Sequence, residues 1–266
     1  MTRYVRFSLD RSIAPTVSDA SSAVCHGVLD GQEIRETDGP AGRLTGKQFS
    51  LAEVRLLPPC SPTKIVCVGR NYREHAKELG NEVPSEPLIF LKPPSSLIAS
   101  GDCIVYPKAS QRLDYEGELG VIIGTRARNV KAEDAMRFVL GYTCVNDVTA
   151  RDLQKKDGQW TRGKGHDTFC PAGPCMVLAS EVDLASLRVV TRLDGVVKQN
   201  APVTDMLFPL PDIIAYVSAF MTLEPGDLIA TGTPPGVGPM SAGSTVEVEI
   251  EGVGLLSNQV ILSHTD

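Results

Sequence analysis

The run Asp114-Tyr115-Glu116-Gly117-Glu118-Leu119-Gly120-Val121-Ile122-Ile123-Gly124 constrains this chain more than any other stretch, because one end is acidic and the other is aliphatic. It reads as one strand. Side chains alternate along an extended chain, so Glu116 and Glu118 point the same way with α-carbons about 6.5 to 7 Å apart, and Asp114 falls on their face. Three carboxylates on one face repel one another unless water or a cation screens them. Gly117 leaves the opposite face open to a close neighbour. Leu119, Val121 and Ile123 alternate with the acids while Ile122 continues their face, which describes a strand buried on both faces beyond its acidic mouth. A buried strand ending in a carboxylate cluster suggests a metal site on rigid scaffold.

A length of 266 residues allows one large domain, or a domain with a smaller companion. Lys and Arg number 26 against 32 Asp and Glu, a net charge of −6, and no basic run marks a nucleic-acid face. Residues Met1 to Arg11 carry charges where a signal peptide needs its apolar run, and no stretch approaches the ~18 apolar residues of a membrane span, so a cytoplasmic protein is expected. The seven cysteines are scattered and never spaced as a zinc-binding Cys-x-x-Cys pair; they read as reduced thiols, mostly core filler.

In chain order, Tyr4 to Leu9, Ala23 to Leu29 and Phe49 to Leu57 have strand character, with Asp30-Gly31 as a turn and residues 35 to 46 as loop. Pro58-Pro59-Cys60-Ser61-Pro62 breaks regular structure, dividing a small N-terminal region (1–60) from a main domain (61–266). Lys64 to Val68, Leu88 to Lys92, Asp102 to Tyr106 and Leu140 to Val145 read as further strands. Arg70 to Gly80, Glu133 to Val139 and Val148 to Lys156 have helical texture. Asp194-Gly195 predicts a two-residue hairpin, and Pro211 to Met221 an amphipathic helix with Ile213, Ile214, Val217, Phe220 and Met221 on or near one side. Leu228 to Ala230 and two strands within Thr245 to Leu262 complete a mainly β, mixed α+β pattern.

Asp147, at the end of the strand from Leu140, can join Glu116 and Glu118 only through the fold. These three carboxylates, with no cysteine or paired histidine nearby, make an all-oxygen site suited to Mg²⁺ or Mn²⁺, with Ca²⁺ also accommodated. A solvated strand face, with Asp147 capping the next helix, accounts for the same spacing. His75 and Glu78 share a helix face, where a carboxylate fixes an imidazole tautomer and raises its basicity; a plain surface histidine fits the pattern as well. His26, His166 and His264 have no such partner in sequence. Lys164 lies between glycines, where a cation can approach a ligand or simply belong to a loop. The glycine-rich loop Thr231 to Gly238 lacks the Lys-Ser or Lys-Thr of a nucleotide-binding loop and offers Thr233 to a ligand.

From about Lys64 to Leu262 the chain resembles the fumarylacetoacetate hydrolase superfamily. The motifs that carry this, in order, are Gly69-Arg70-Asn71-Tyr72, His75 with Glu78, Phe90-Leu91-Lys92-Pro93, Asp114-Tyr115-Glu116-Gly117-Glu118-Leu119, Asn146-Asp147-Val148-Thr149-Ala150-Arg151-Asp152, Lys164-Gly165-His166-Asp167-Thr168-Phe169 and Thr231-Gly232-Thr233-Pro234. The resemblance implies a β-sandwich roll, a homodimer, and Mg²⁺ or Mn²⁺ held by Glu116, Glu118 and Asp147. It further implies a small 2-oxo acid substrate contacted by Lys164, Gln154 and Thr233, under a lid that carries His75 and Glu78. Residues 1 to 60 match a variable N-terminal region.

Three reactions are compatible with that resemblance: C–C bond hydrolysis in a small 3-acylpyruvate such as fumarylpyruvate, decarboxylation of oxaloacetate, and isomerisation of the 5-carboxymethyl-2-hydroxymuconate type. All three develop an enolate that a divalent cation stabilises. Only hydrolysis needs an activated water, whose base His75 and Glu78 would supply, so a Mg²⁺- or Mn²⁺-dependent C–C hydrolase is expected. A non-catalytic Ca²⁺-binding β protein is the reading from another class, and it would need none of His75, Glu78 and Lys164.

Overall fold

The protein was analysed as a computed structural model, which describes residues 1–12 and 23–263; His264 lies outside them. The aliphatic strands assemble into a 12-stranded sheet whose central members are Cys170–Leu178, Val139–Asn146, Gly117–Ile123, Leu228–Ala230 and Ile65–Gly69. A five-stranded sheet contains Arg188–Leu193, Val196–Pro202, Thr245–Ile250, Gly254–Leu262 and Cys103–Tyr106. A three-stranded sheet joins Thr149–Ala150, Leu113–Tyr115 and Gly238–Met240. The mainly β, mixed α+β architecture is thus the observed one, and the cysteines are free, five of the seven buried.

Gly117–Ile123 is buried along its whole length because the sheet is covered on both faces. On one face Leu119, Val121 and Ile123 pack with Val189, Val248, Ile250 and Leu256 of the five-stranded sheet and with Ile213, Ile214 and Val217 of the helix Leu210–Phe220. On the other, Ile122 joins Ile65, Cys67, Val145, Cys170 and Leu228. Phe220 departs from expectation: it is 54 % exposed and meets Tyr216 edge-on at 5.8 Å, since the helix turns it off the buried stripe.

The N-terminal strands Arg3–Ser8, Cys25–Asp30, Glu33–Thr37 and Leu44–Ser50 extend the large sheet through pairing of Arg3–Ser8 with Cys170–Leu178. Residues 35 to 46, expected as loop, contain paired strand: Arg35 faces Gln48 across the ladder. The expected single strand Phe49 to Leu57 is interrupted by a 3₁₀ turn at Leu51–Glu53. Ser50 and Glu53 form a reciprocal capping box there, which satisfies the turn's free amides and competes with the ladder. The first hairpin turns at Gly31-Gln32, one residue later than expected, because Asp30 still pairs with Glu33. Asp194-Gly195 does form a hairpin turn, with φ of 51° and 77°. Glu133 to Val139 is a 3₁₀ helix over Ala132–Phe138, and the helix expected from Val148 begins at Arg151, after a short strand at Thr149–Ala150.

Candidate active site

The acidic run is two strands rather than one. Leu113–Tyr115 belongs to the three-stranded sheet and Gly117–Ile123 to the large one, so the chain changes sheets at Glu116. The neighbouring strand fixes what stands beside it: Gly117 pairs with Asn146, the Glu116 amide donates to Asn146 Oδ1 (3.0 Å), and the Asp147 amide donates to the Glu116 carbonyl (2.8 Å). Asp147 is delivered to the acids by backbone register. Carboxylate oxygens of Glu116, Glu118 and Asp147 lie within 4.8 Å of one another, and all three residues are buried.

Asp114 is outside this cluster, contrary to its expected place on the acids' face. The strand break turns it to Arg112, whose Nε donates to it at 2.9 Å, and to Arg151 Nε at 2.9 Å. Arg151 in turn donates through Nη2 to Glu116 Oε1 at 2.5 Å. Lys164 Nζ bridges Glu116 Oε2 (2.8 Å) and Asp147 Oδ2 (2.6 Å), while Lys92 Nζ donates to Asp147 Oδ1 at 2.5 Å. Burial alone would neutralise these groups, yet the partners prevail. Glu116, despite its desolvation, is held well below the ordinary carboxylate range by Lys164 and Arg151. For Lys164, burial works against the charge, and Asp147 with Glu116 outweighs it, raising the ammonium's pKa.

Glu118 is different. It accepts the Gly232 amide at 2.8 Å and pairs with no cation among the described residues, so burial first, then Asp147 and Glu116, push its pKa well above the usual range. That cost of an ionised Glu118 is what a hard divalent cation relieves, and an all-carboxylate donor set is the chemistry such an ion prefers. The residues present therefore fit Mg²⁺ or Mn²⁺.

The cluster opens into a cavity of about 180 Å³ lined by His75, Gln154, Lys164 and Thr233 as well as the three acids. This is well under the roughly 300–1,000 Å³ of pockets for drug-sized ligands, so it suits a small molecule. His75 is buried, and its Nδ1, with no hydrogen-bond partner, stands 3.6 Å from Glu78 Oε2. Burial is the main cause holding its pKa below the ordinary imidazole value. Glu78 does not line the cavity. Both its oxygens accept the Gly236 amide at 3.1 Å, tying the short helix Arg73–Glu78 to the loop Thr231 to Gly238. Gln154 Oε1 accepts from Arg151 at 2.7 Å. The Thr233 hydroxyl donates to the Gly117 carbonyl (2.9 Å) and accepts from Gln199 (2.7 Å), so its proton is already committed. Thr233 reaches the cavity, but not as a free donor.

The structure thus gathers seven of the eight singled-out residues around one cavity and leaves Glu78 behind His75. Sequence reasoning assigned nothing to Lys92, Arg151 and Gln199. Lys92 did carry a signal, a lysine closing an apolar strand before two prolines, where a charge must find a buried partner.

The family described as "Fumarylacetoacetate (FAA) hydrolase C-terminal" matches residues 64–261, and "Rv2993c-like, N-terminal" matches residues 2–59. "Oxaloacetate tautomerase YisK" of Bacillus subtilis is 43% identical over 234 residues, covering 83% of this chain and 78% of the relative. Among solved structures, "2-hydroxyhepta-2,4-diene-1,7-dioate isomerase" from Mycobacterium marinum is 40% identical with a TM-score of 0.86 over 100% of both chains. A fumarylpyruvate hydrolase from Pseudomonas aeruginosa, in complex with Mn²⁺ and pyruvate, is 32% identical with a TM-score of 0.72, covering 79% of this chain and 92% of that one. No helix among the described residues is long and apolar enough to cross a membrane. Profile, relatives and fold agree on one conclusion: the chain belongs to the fumarylacetoacetate hydrolase family.

Proposed function

We propose that this chain interconverts the keto and enol forms of a small dicarboxylic 2-oxo acid of the oxaloacetate type, using a divalent cation held by Glu116, Glu118 and Asp147. The observation that carries the reading is the buried His75 imidazole, its pKa lowered chiefly by burial, facing the same small cavity as the carboxylates and Lys164. Tautomerisation takes a proton from C3 and places one on the C2 oxygen, breaking no carbon–carbon bond and consuming no water. A neutral imidazole is competent to take the C3 proton, and its depressed basicity keeps it ready at neutral pH. Lys164 stays charged, and of its three N–H groups two are used by Glu116 and Asp147, leaving one for a substrate oxygen. Bound at the three acids, the cation would act as a Lewis acid on the 2-oxo group. The name of the Bacillus subtilis relative supports this reaction.

Hydrolysis of a 3-acylpyruvate is the second reading, favoured by the His75–Glu78 pair at 3.6 Å and by the Pseudomonas aeruginosa hydrolase. One assay separates them. With Mn²⁺ present, the protein should accelerate decay of oxaloacetate enol absorbance well beyond buffer without releasing pyruvate. Pyruvate released from oxaloacetate would indicate decarboxylation. Rapid cleavage of fumarylpyruvate with no effect on oxaloacetate tautomers would overturn the first reading in favour of the second.

A further inference from the structure

The cations beside the carboxylate cluster have anionic partners: Lys92 serves Asp147, Lys164 serves Asp147 and Glu116, and Arg151 serves Glu116 and Asp114. Arg70 differs. It lines the same cavity and is half-buried, yet its guanidinium makes no hydrogen bond or ion pair with any described residue. Its contact is the Trp160 ring, 5.8 Å from guanidinium carbon to centroid. Trp160 meets Phe90 edge-on at 5.1 Å, and Phe90 lies 5.2 Å beneath Lys164 Nζ. An aromatic wall therefore runs from Lys164, at the carboxylate end, to Arg70.

The sequence builds this position deliberately. A Cβ at Gly69 would stand 2.7 Å from Trp160 Cζ3 and 3.0 Å from Cη2, so glycine is what lets the indole pack against the backbone there. Arg70 itself holds a φ of 56°, a left-handed conformation that an L residue enters at a cost and that surroundings must enforce. A strained backbone, a guanidinium over an indole ring and a missing counter-ion converge on one side chain.

We infer that Arg70 determines specificity by receiving the distal carboxylate of a dicarboxylic 2-oxo acid, whose oxo-acid end lies at the three acids and Lys164. The inference rests on the function proposed above and deepens it. A planar guanidinium matches a carboxylate through two parallel hydrogen bonds, and the cation–π contact with Trp160 restricts the side chain before the ligand arrives. The charge is available because Glu116 and Asp147 already have cations of their own, and Glu118 makes no ion pair with Arg70. Lys155 also lines the cavity, but it is exposed on the helix Arg151–Asp157, so its ammonium faces solvent.

Oxaloacetate and pyruvate share the oxo-acid head and differ by the distal carboxylate, so their affinities for the Mn²⁺-loaded protein, measured by titration calorimetry, isolate the contact. The wild type should bind oxaloacetate roughly 10- to 200-fold more tightly than pyruvate, the worth of a hydrogen-bonded charge. Arg70→Met should bring that ratio to within about threefold of unity while moving pyruvate affinity less than about twofold. Arg70→Gly, which accepts the backbone angle without strain, should do the same, and Lys155→Met should leave the ratio as it was. An unchanged ratio in both Arg70 variants, or an equal loss for both ligands, would overturn the inference. Equal binding of the two acids by the wild type would also overturn it and leave the 2-oxo acid reading standing. Binding of neither acid would remove that reading, and this inference with it.

Discussion

The strand Gly117–Ile123 and the helix Arg73–Glu78 both supply groups to the cavity, and they are held in opposite ways. Every residue of the strand is buried, and it pairs on both sides, with Val139–Asn146 and with Leu228–Ala230. The helix has six residues, only His75 and Ala76 of them buried, and its N-cap Tyr72 makes no side-chain cap. Such a length has no helical stability of its own, so the element depends on a few attachments, Glu78 to Gly236 foremost. Opening it should cost far less than disturbing the strand. The carboxylates proposed to hold the cation stand on the rigid floor, and His75 stands on the weakly held element.

The largest effect should come from the floor. Glu118→Gln keeps the shape and removes the one carboxylate without a cation; Mn²⁺ binding by calorimetry should disappear and activity fall to background, several kcal/mol of Lewis-acid stabilisation being lost. The metal-free variant should melt no lower than wild type, because a buried like-charge repulsion is gone. Undiminished Mn²⁺ affinity would remove Glu118 from the proposed ligand set. Next in size is His75→Ala on the cover, expected to lower tautomerisation by about 10² to 10⁴, the usual worth of a general base, while Mn²⁺ affinity stays unchanged. If that variant lost the metal as well, floor and cover would not be separable as drawn.

A smaller effect tests rigidity alone. A Cβ at Gly117 would overlap the Thr191 hydroxyl, a buried group with no hydrogen-bond partner of its own. Gly117→Ala should therefore destabilise the protein by about 1 to 3 kcal/mol in chemical denaturation, the range for overpacking. Adding Thr191→Ala should recover most of it, as expected for residues in contact. Additive losses would mean that the tolerance lies elsewhere.

The floor was legible in the sequence for a physical reason. Alternation of Leu119, Val121 and Ile123 against Ile122 is local information, and a strand buried on both faces cannot hide it. The break at Glu116 was not legible, because a change of sheet depends on which strands arrive from elsewhere, here Thr149–Ala150 and Gly238–Met240. Asp114 was misplaced for that reason. Asp147 was recognisable as an acid at a strand end, but its meeting with Glu116 depends on the register of Gly117 with Asn146, a contact between distant parts of the chain. Lys92 and Arg151 illustrate the same limit: a sequence shows a cation, and only the fold shows which carboxylate it neutralises.

Glu78 separates the two regions most finely, and its substitution should have the smallest effect. Read from sequence, it supports the His75 imidazole; in the structure it also accepts the Gly236 amide through both oxygens, at 3.1 Å. Glu78→Gln leaves a carbonyl oxygen able to accept from Gly236, so the cover stays seated, but it removes the anion 3.6 Å from Nδ1. If tautomerisation needs only a neutral imidazole, kcat should fall by no more than about fivefold, since the lost carboxylate contributed modestly at a half-exposed position. Glu78→Ala removes the Gly236 contact too and should raise KM more than it lowers kcat, because the population of closed cover then declines. Steady-state kinetics of the two variants on oxaloacetate distinguish these roles. A kcat loss in Glu78→Gln as large as in His75→Ala would make the carboxylate part of the proton-transfer unit, and the reading of Glu78 as chiefly an attachment of the cover would have to be abandoned.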